Sequence, residues 1–392
     1  MSCFWCKPGS DRDCVRSVER SLLQLVLLVS ALALFSETFA APGDYLQGRG
    51  PCDFRYPRDH GAHPGYRTEW WYYTGNVETE SRRRFGFQVT FFRLQISPPD
   101  AQSRWPKKPS RWRTNQLYFA HAALSDPEKE EFHVEEKVAR GVVGLAGEEQ
   151  EKDVVHLFVG DWSIRIGPQS HTLEVSSSEV TLDLRGEPQK GPVCHGDGGY
   201  SRKGVKAESA SCYYSFPRLR VSGIIRTEGM AHEVTGSAWM DHEYSSAPLE
   251  KNLTGWDWFS IQLTNQTEVM LYLLRRKEGG HSRASSGTFV GPSGHAHHLY
   301  GQDFTVKVLE QWKSPRTRAV YPSRWEIRIP SLGLVLNVSP NMADQELVTE
   351  KSTGVTYWEG SVSIRGTRDT NPIKGQGYVE LTGYAGSFDI PM

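Results

Sequence analysis

The sequence lacks a strong charge of either sign. Its 392 residues carry 45 Lys and Arg side chains against 46 Asp and Glu side chains, a formal net charge of −1 with His neutral. Proteins that bind nucleic acid or anionic membranes usually show an excess or a patch of positive charge. We therefore predict neither of these partners.

Long hydrophobic runs are also missing. The apolar run at residues 22–35 is shorter than the ~20 residues that a membrane-spanning helix needs. Four basic side chains precede it, and a small-residue cleavage pattern follows before Ala41. This pattern predicts a signal peptide over residues 1–40, with an uncleaved anchor as the alternative. The mature chain would then have no transmembrane segment and would be secreted or held in an organelle lumen. Passage through a glycosylating compartment is compatible with the three sequons at Asn252, Asn265 and Asn337.

Cysteine is scarce in the predicted mature chain. Six cysteines occur in the sequence, and three of them fall within the predicted signal peptide. The remaining Cys52, Cys194 and Cys212 are an odd number, and their spacing does not resemble a zinc site. In an oxidising compartment, a disulfide between Cys194 and Cys212 would close the glycine-rich loop between them.

Several motifs of common enzymes are absent. There is no Gly-x-Ser-x-Gly nucleophile elbow, and the glycines at residues 196–204 do not follow the strand–helix pattern of a dinucleotide fold. His60 and His63 could ligate a metal with Glu69 or His121, but their spacing is that of a loop and not of a zinc-protease helix. We predict no metal and no other cofactor. Residues 196–204 could instead form a lid or an inter-domain clasp, because glycine permits close backbone packing.

Aromatic and turn-forming residues are plentiful. The chain has 12 Trp, 16 Tyr and 16 Phe, with 37 Gly and 22 Pro. Short alternating segments follow one another from residue 69, a pattern that predicts an all-β protein with many short strands. The length fits two packed β-barrels or sandwiches, which we place at residues 52–247 and 248–392. The only helix candidate in the mature chain is the Glu-rich segment at residues 125–140.

Adjacent tryptophans follow an acid at the start of a predicted strand. Trp70 and Trp71 come directly after Glu69. Each indole brings an N–H that needs a partner, so paired tryptophans suit a pocket wall or a barrel plug. We interpret these three residues as candidate substrate-binding groups. The alternative is a structural strand start, in which the acid accepts hydrogen bonds from indole or arginine.

The run Glu-Trp-Trp-Tyr-Tyr-Thr-Gly-Asn at residues 69–76 resembles the AttH family of predicted secreted hydrolases. This family is related to the carotenoid 1,2-hydratases, also called hydroxyneurosporene synthases. The resemblance covers roughly residues 54–384. Further matching motifs lie at residues 196–204, 213–217, 236–244, 255–263, 321–325, 357–360 and 377–384.

The resemblance implies two lipocalin-like β-barrel domains packed together, with a largely apolar cavity. Small barrels of this kind can hold one ligand in their interior. Relatives include enzymes that add water to isoprenoid double bonds and fungal enzymes that fold polyketide chains. The fold does not select among these activities, because one fold hosts many chemistries.

Hydration of a carbon–carbon double bond needs a protonated carboxylic acid and aromatic faces that stabilise a cation. Asp241 best matches the surroundings of the aspartate that is thought to protonate substrate in the hydratases, and Trp239 stands where they have a tyrosine. On a strand, Trp239, Asp241 and Glu243 share one face, and His242 points the other way. Because close carboxylates raise the pKa of one of them, we predict Asp241 as the proton donor and Glu243 as its coupled partner. The remaining candidate substrate-binding residues are Trp239, Tyr244, Trp256 and Trp258.

Three functions remain open at this point. The chain could be a hydratase or isomerase that acts on an apolar isoprenoid- or polyketide-like molecule. It could be a carrier that binds a lipid or pigment in the same cavity, which then would expose no carboxylate. It could be a hydrolase, with Glu69 and either His60 or His63 activating water. The enzyme hypothesis requires an interior that shelters Asp241 from water, and a buried structural carboxylate is the alternative interpretation of this residue.

Overall fold

The computed structural model describes residues 44–386, and these residues are almost entirely strands and turns. The helical elements described are three short 3-10 turns, Arg58–His60, Pro99–Arg104 and Pro330–Leu332. The strands form two barrel-like sheets, one nearly closed and one a half-barrel. The predicted all-β, lipocalin-like fold is confirmed. Within the described range, no helix is both long and apolar enough to cross a membrane.

The first sheet takes up the strands before residue 246. They are β1 (Thr68–Glu78), β2 (Arg84–Gln95), β3 (Gln116–Asp126), β4 (Glu131–Arg140), β5 (Ala146–Glu151), β6 (Val154–Val159), β7 (Trp162–Ile166), β8 (His171–Ser176), β9 (Val180–Pro188), β10 (Val193–Cys194), β11 (Tyr200–Arg202), β12 (Ala210–Thr227) and β13 (Met230–Ser245). Their order is β4-β3-β2-β1-β13-β12-β9-β8-β7-β6-β5, with β10 and β11 paired to β12. The long strands β12 and β13 therefore lie near the middle of the sheet.

The second sheet takes up the remaining strands. They are β14 (Leu253–Leu263), β15 (Glu268–Arg276), β16 (Ser286–Val290), β17 (Ala296–Tyr300), β18 (Thr305–Lys313), β19 (Val320–Ile329), β20 (Leu334–Pro340), β21 (Glu346–Val348), β22 (Thr356–Arg368) and β23 (Asn371–Leu381). Their order is β17-β16-β15-β14-β23-β22-β20-β19-β18, with β21 paired to β22. The predicted boundary near residue 248 falls between the two sheets, and its status as a domain boundary stays a prediction.

Burial patterns show which strands face solvent. In β6, β8 and β9, buried residues alternate with more exposed ones, as expected when one face of a strand packs on a core. In β1, β13 and β14, long stretches are buried without alternation. These strands are covered on both faces, because one face packs on the core of its own sheet and residues of the other face pack against the opposite sheet.

Each sheet has a core of buried side chains. The first core contains Trp71, Phe87 and Trp162, and the second contains Trp325 and Trp358, all at most 1 % exposed. Two small voids within the described residues each offer about 10 Å³, room for about one water molecule. The ligand cavity expected inside a barrel stays a prediction.

The segment at residues 125–140, the helix candidate, is instead the end of β3, a tight turn and β4. The strands pair in register from Leu117 with Arg140 to Asp126 with Glu131. The glutamates of residues 125–140 suggest a helix, but the backbone of β4 forms its hydrogen bonds with β3. Tertiary pairing overrides local propensity here.

The predicted disulfide between Cys194 and Cys212 is also wrong. The structure joins Cys52 to Cys212, with their Cα atoms 5.9 Å apart, and leaves Cys194 as a free thiol. The N-terminal segment runs along the glycine-rich loop, where the Cys52 N–H donates to the carbonyl of Gly198 at 3.0 Å. Cys194 pairs in register with Tyr214, two residues beyond Cys212. The sequence did not show that residue 52 returns to this strand. The predicted signal peptide, residues 1–40, lies outside the described residues.

The disulfide assignment predicts unequal effects of removing the cysteines. Because a bridge that closes a long loop constrains the unfolded chain, Cys52→Ala should lower the free energy of unfolding by about 2–4 kcal/mol. Cys194→Ala is the control and should change it by less than about 1 kcal/mol. Urea unfolding of oxidised protein measures both values. A Cys194–Cys212 peptide in a non-reducing digest would contradict the assignment.

Candidate active site between the two sheets

Strand β13 directs its side chains alternately to two polar networks. Trp239, Asp241 and Glu243 face the second sheet, as predicted from strand alternation. His242 and Tyr244 face the N-terminal segment on the opposite side, where His242 stacks on Trp71 with ring centroids 4.8 Å apart. Both groups are buried. The face toward the second sheet holds the predicted acid.

Asp241 is buried in a ring of hydrogen-bond donors. Its Oδ1 accepts from the Trp239 indole N–H at 2.6 Å and from the Ser215 hydroxyl. Its Oδ2 accepts from the Tyr213 hydroxyl at 2.7 Å. The Tyr213 hydroxyl in turn accepts from the Trp258 indole N–H at 3.2 Å. The carboxyl is therefore held at both oxygens, and these three hydrogen-bond donors are uncharged.

Burial raises the pKa of Asp241 to about 7, although the hydrogen bonds from Ser215, Tyr213 and Trp239 act in the opposite direction. The charge of Glu243 adds to the increase but is the smallest of these causes. The predicted direction of the pKa change is correct, but its main cause is desolvation and not the second carboxylate. The acid is about half protonated at neutral pH, as a proton donor requires.

A histidine lies one hydroxyl away from Asp241. His195 Nε2 is 2.6 Å from the Ser215 Oγ, and His195 Nδ1 is 2.8 Å from the Thr288 Oγ1 of β16. Burial, with the charges of Lys203 and His298, holds the pKa of His195 well below its ordinary value. The imidazole is therefore neutral and connects the acid to the second sheet through two hydroxyls.

Glu243 lies at the edge of the site and forms an ion pair. Its Oε1 is 3.1 Å from the Lys203 ammonium, and it accepts a hydrogen bond from Ser211. Lys203 also lies over the ring of Tyr272, with its Nζ 4.0 Å from the ring centroid. Lys203 belongs to the glycine-rich segment at residues 196–204, so this segment covers one end of the site.

Two further acids approach from the second sheet. Glu359 and Glu380 are direct cross-strand partners on β22 and β23. Burial raises the pKa of Glu380 to about 7, against a hydrogen bond from the Trp256 indole N–H at 3.0 Å, and the charge of Asp241 adds to the increase. Burial, followed by the charge of Glu380, raises the pKa of Glu359 well above its ordinary value. The site thus contains several carboxyl groups that favour the protonated form.

Aromatic rings line the same surface. Trp258 packs edge-to-face against Tyr72 at 5.2 Å and against Trp239 at 6.3 Å between ring centroids. Trp70 and Trp256 pack against this cluster and are partly buried. The faces of these rings offer negative potential next to a proton donor.

Glu69, Trp71 and Tyr244 belong to the other network and do not contact Asp241. Glu69 Oε1 is 2.7 Å from His63 Nδ1 and 2.8 Å from His242 Nε2. Its Oε2 accepts from Arg93 Nε at 2.7 Å and from the His63 backbone N–H at 2.8 Å. This carboxylate has its partners already, which agrees with the structural alternative for the strand start.

His63, Glu69 and His242 present ligand atoms within 4.8 Å of one another. A cation at this place would have to compete with the four hydrogen bonds that the Glu69 carboxylate accepts, one of which comes from the Arg93 guanidinium. Burial alone would lower the pKa of His63, but Glu69 and Asp59 outweigh it and raise this pKa to about 9. An imidazolium cannot accept a proton from water at neutral pH. The predicted pairing of Glu69 with His63 exists, but as an ion pair, while His60 bonds to Tyr214 at 2.7 Å.

The structure therefore brings together six of the predicted site residues and separates three. Trp70, Trp239, Trp256 and Trp258 lie on the surface that contains Asp241, with Glu243 at its edge, whereas Glu69, Trp71 and Tyr244 lie elsewhere. The sequence interpretation missed several neighbours of the acid, namely Tyr72, Lys203, His195, Tyr213, Ser215, Glu359 and Glu380. Most of them fall within the motifs that carry the family resemblance. If a role had been assigned to every motif that matches the family, and not only to residues 236–244, most of these neighbours would have been identified.

The three sequon asparagines, Asn252, Asn265 and Asn337, are exposed. Their glycosylation stays a prediction.

Fold and site define a two-sheet β protein with a buried acid of raised pKa between its sheets. Residues 47–384 match the model of the AttH-like family, and the chain belongs to that family. A candidate AttH protein from Nitrosomonas europaea, solved by crystallography, is 34 % identical, with a TM-score of 0.75 over 87 % of this chain and 99 % of that one.

Kievitone hydratase from Nectria haematococca has a similar fold, with a TM-score of 0.65 and 15 % identity over 88 % of this chain and 99 % of that one. CghA is similar with a TM-score of 0.50 and 12 % identity over 87 % and 98 % of the two chains. At these identities the likeness concerns the fold alone. A search among curated proteins finds no significant match.

The raised pKa of Asp241 predicts a pH dependence of stability. Because the folded state holds this proton up to a pKa of about 7 and the unfolded chain releases it near pH 4, the folded protein loses stability as pH rises from 4 to 7. The loss is on the order of 4 kcal/mol for this one group. Asp241→Asn removes it, so the variant should gain stability relative to wild type over this interval.

Urea unfolding at pH 4.5, 6 and 7.5 measures the difference between variant and wild type. Asp183→Asn, at an exposed position of β9, is the matched control and should give a difference that does not vary with pH. A pH-independent difference for Asp241→Asn would show that the acid is not held protonated.

Proposed function

We propose that this AttH-like protein is an acid–base enzyme, a hydratase or isomerase, that acts on a carbon–carbon double bond of a small apolar molecule. The reaction takes place between the two sheets and not inside a barrel. The observation that carries the proposal is the position of Asp241, a buried acid with a pKa of about 7 beside indole and phenol rings. The fold shared with kievitone hydratase is compatible with it.

The hydrogen bonds indicate which oxygen of Asp241 carries the proton. An indole N–H can only donate, so Oδ1, which faces Trp239, is an acceptor. The Tyr213 hydroxyl accepts from Trp258 and can either donate to Oδ2 or accept from it. Oδ2 is thus the oxygen that carries the acidic proton and gives it to the substrate.

Protonation of one alkene carbon leaves a cation at the other carbon, and the rings of Trp239, Trp258 and Tyr72 would stabilise it. In a hydration, water then forms the new carbon–oxygen bond, and its surplus proton returns to the Asp241 carboxylate. In an isomerisation, the cation instead loses a proton from a neighbouring carbon to the same carboxylate. Both routes restore the acid, and neither needs an oxidant or a cofactor.

Ser215 and His195 act as positioning residues in this scheme. The neutral His195 fixes the Ser215 hydroxyl, which bonds to Oδ1 of Asp241. This arrangement holds the carboxyl plane in one orientation toward the aromatic surface. Precise placement of an acid contributes to rate because the proton must be in reach of the reacting atom.

Access requires movement, because the Asp241 side chain is buried. The segment at residues 196–204 places Lys203 over Tyr213 and Tyr272, and β11 within it pairs with β12 only through residues 200–202. We propose that this segment opens to admit substrate between the sheets. The carrier hypothesis is less well supported, since a carrier surface would not need a protonated acid.

The hydrolase hypothesis has less support than the hydratase hypothesis. Its water-activating pair would have been Glu69 with His60 or His63. His63 is an imidazolium at neutral pH, and burial lowers the pKa of His60 to about 3 while its Nδ1 lies against Tyr214. Neither histidine faces a void that could hold substrate in the described part of the chain.

We also propose that the protein works in the secretory pathway or outside the cell. Its Cys52–Cys212 disulfide would be maintained in an oxidising compartment. The apolar run at residues 22–35 and three exposed sequons point the same way.

The proposal predicts that Asp241→Asn abolishes turnover without abolishing binding. A panel of isoprenoid and polyketide alkenes is incubated with protein in D₂O, and uptake of deuterium at carbon is followed by mass spectrometry. Wild type should label at least one compound, and the variant should label it at least about 100-fold more slowly, because general acid catalysis contributes about that much. Binding, measured by tryptophan fluorescence, should change by less than about threefold.

Glu69→Gln serves as the comparison, since this residue lies in the other network. Glu69→Gln should lower the free energy of unfolding. The ratio of its labelling rate to its binding affinity should change less. Labelling by Asp241→Asn at the wild-type rate would contradict the assignment of the proton donor.

A further inference from the structure

Five buried polar atoms between the two sheets have no hydrogen bond of normal geometry among the described residues. They are the hydroxyls of Tyr72, Thr74 and Tyr378, the Oε1 of Gln88 and the Oε1 of Glu359. All five side chains are more than nine-tenths buried. Buried polar groups in folded proteins are nearly always paired, because an unpaired one is costly. Five of them on one surface indicate a site that is completed by a ligand.

Strand register places these groups together. Tyr72 and Thr74 lie on the same face of β1, with Gln88 of β2 directly opposite Thr74. Tyr378 of β23 reaches across from the second sheet, where its hydroxyl is 3.2 Å from the position that a Cβ on Gly86 would occupy. The two sheets are joined at this place by the Asn76 amide of β1, which donates to the Gly377 carbonyl at 3.0 Å.

The same register places the group beside the proposed proton donor. Tyr72 is the direct cross-strand partner of Asp241, so their Cβ atoms are about 5 Å apart on one face of the sheet. Glu359 is the cross-strand partner of Glu380. The Tyr72 hydroxyl is within reach of the Glu359 carboxyl, and the Tyr378 hydroxyl is within reach of Ser125, but neither pair has the geometry of a normal hydrogen bond. A ligand atom could therefore bridge the two sheets next to the acid.

The chemistry of the group selects a neutral oxygen. Burial, then the charge of Glu380, holds the pKa of Glu359 well above its ordinary value, so this carboxyl is uncharged. Burial likewise raises the pKa of Tyr72 and Tyr378, and both remain phenols. Neutral O–H donors and oxygen acceptors complement a carbonyl or hydroxyl group. A hydrocarbon would leave all of them unpaired.

We propose that Tyr72, Tyr378 and Glu359 form a polar subsite that binds a neutral carbonyl or hydroxyl group of the substrate beside Asp241. The subsite rests on the proposed function for the identity of the reacting double bond. It narrows the substrate class from plain hydrocarbons to oxygenated alkenes, such as unsaturated ketones or alcohols. Thr74 and Gln88 lie along the strands between Tyr72 and the Tyr378 hydroxyl, so the subsite extends in that direction away from the acid.

The test compares β-ionone, an isoprenoid ketone, with the hydrocarbon in which a methylene group replaces its carbonyl. Binding to the full chain is measured by quenching of tryptophan fluorescence. Wild type should bind the ketone about tenfold or more tightly than the hydrocarbon, since two hydrogen bonds distinguish them. Tyr72→Phe and Tyr378→Phe should each reduce this preference about threefold or more, and leave hydrocarbon binding within about twofold.

Tyr300→Phe is the matched control, because this side chain on β17 is 60 % exposed; it should keep the wild-type preference. Infrared spectra give a second readout that a structural role would not change. The carbonyl stretch of bound β-ionone should shift to lower frequency in wild type and shift back in Tyr378→Phe. Equal binding of the two probes, absence of binding to either, or an unshifted carbonyl would overturn the subsite.

Failure of the subsite and failure of the proposed reaction can be told apart. Asp241→Asn leaves the three subsite residues in place, so it should retain the preference for the ketone while it loses deuterium labelling. A protein that labels hydrocarbons as well as ketones would keep the reaction and refute the subsite. One that prefers ketones but labels nothing would keep the subsite and refute the reaction. If Tyr378→Phe lowers stability but leaves the preference for the ketone unchanged, the unpaired groups bind only buried water, and the subsite is refuted.

Discussion

The burial of one carboxyl group between two packed sheets is the constraint on which the rest depends. Asp241 is surrounded by Trp239, Ser215 and Tyr213, all neutral donors, and its cationic neighbour Lys203 pairs with Glu243 instead. Because no cation forms an ion pair with Asp241 among the described residues, desolvation outweighs three hydrogen bonds and keeps the acid partly protonated at neutral pH. Glu69 shows the opposite outcome, because Arg93 and His63 hold its pKa well below the ordinary value.

The raised pKa of Asp241 and the lowered pKa of Glu69 occur on opposite faces of the paired strands β1 and β13. Side-chain alternation sends Asp241 toward the second sheet and His242 toward the N-terminal segment, only one residue apart. On that side the ion pairs fix the segment that precedes β1, which is the ordinary structural use of buried charge. On the other side the acids have neutral partners, and several polar atoms lack partners. Such unsatisfied groups are expected at functional sites, where local stability is given up for reactivity.

The sequence allowed the all-β class, the family and the shared strand face of Trp239, Asp241 and Glu243 to be predicted. Alternating apolar residues specify strands, and the motif at residues 236–244 specifies which face holds Asp241. It could not show that Trp71 and Trp325 belong to packed cores, because tryptophan suits a cavity wall and a packed core equally well. Nor could it show the pairing of Cys52 with Cys212, since that depends on where the N-terminal segment returns. The helix expected at residues 125–140 failed because strand pairing with β3 outweighs the helix preference of glutamate.

The ionisation state of Asp241 can be measured directly. Protein labelled with ¹³C at aspartate carboxyl carbons is titrated by NMR between about pH 3 and 9, and Asp241→Asn assigns the resonance. The account predicts one buried aspartate that titrates at a pKa of about 7 and is lost in the variant. A resonance that titrates below about pH 5, as an ordinary aspartate does, would contradict the central claim that the space between the sheets holds a protonated acid.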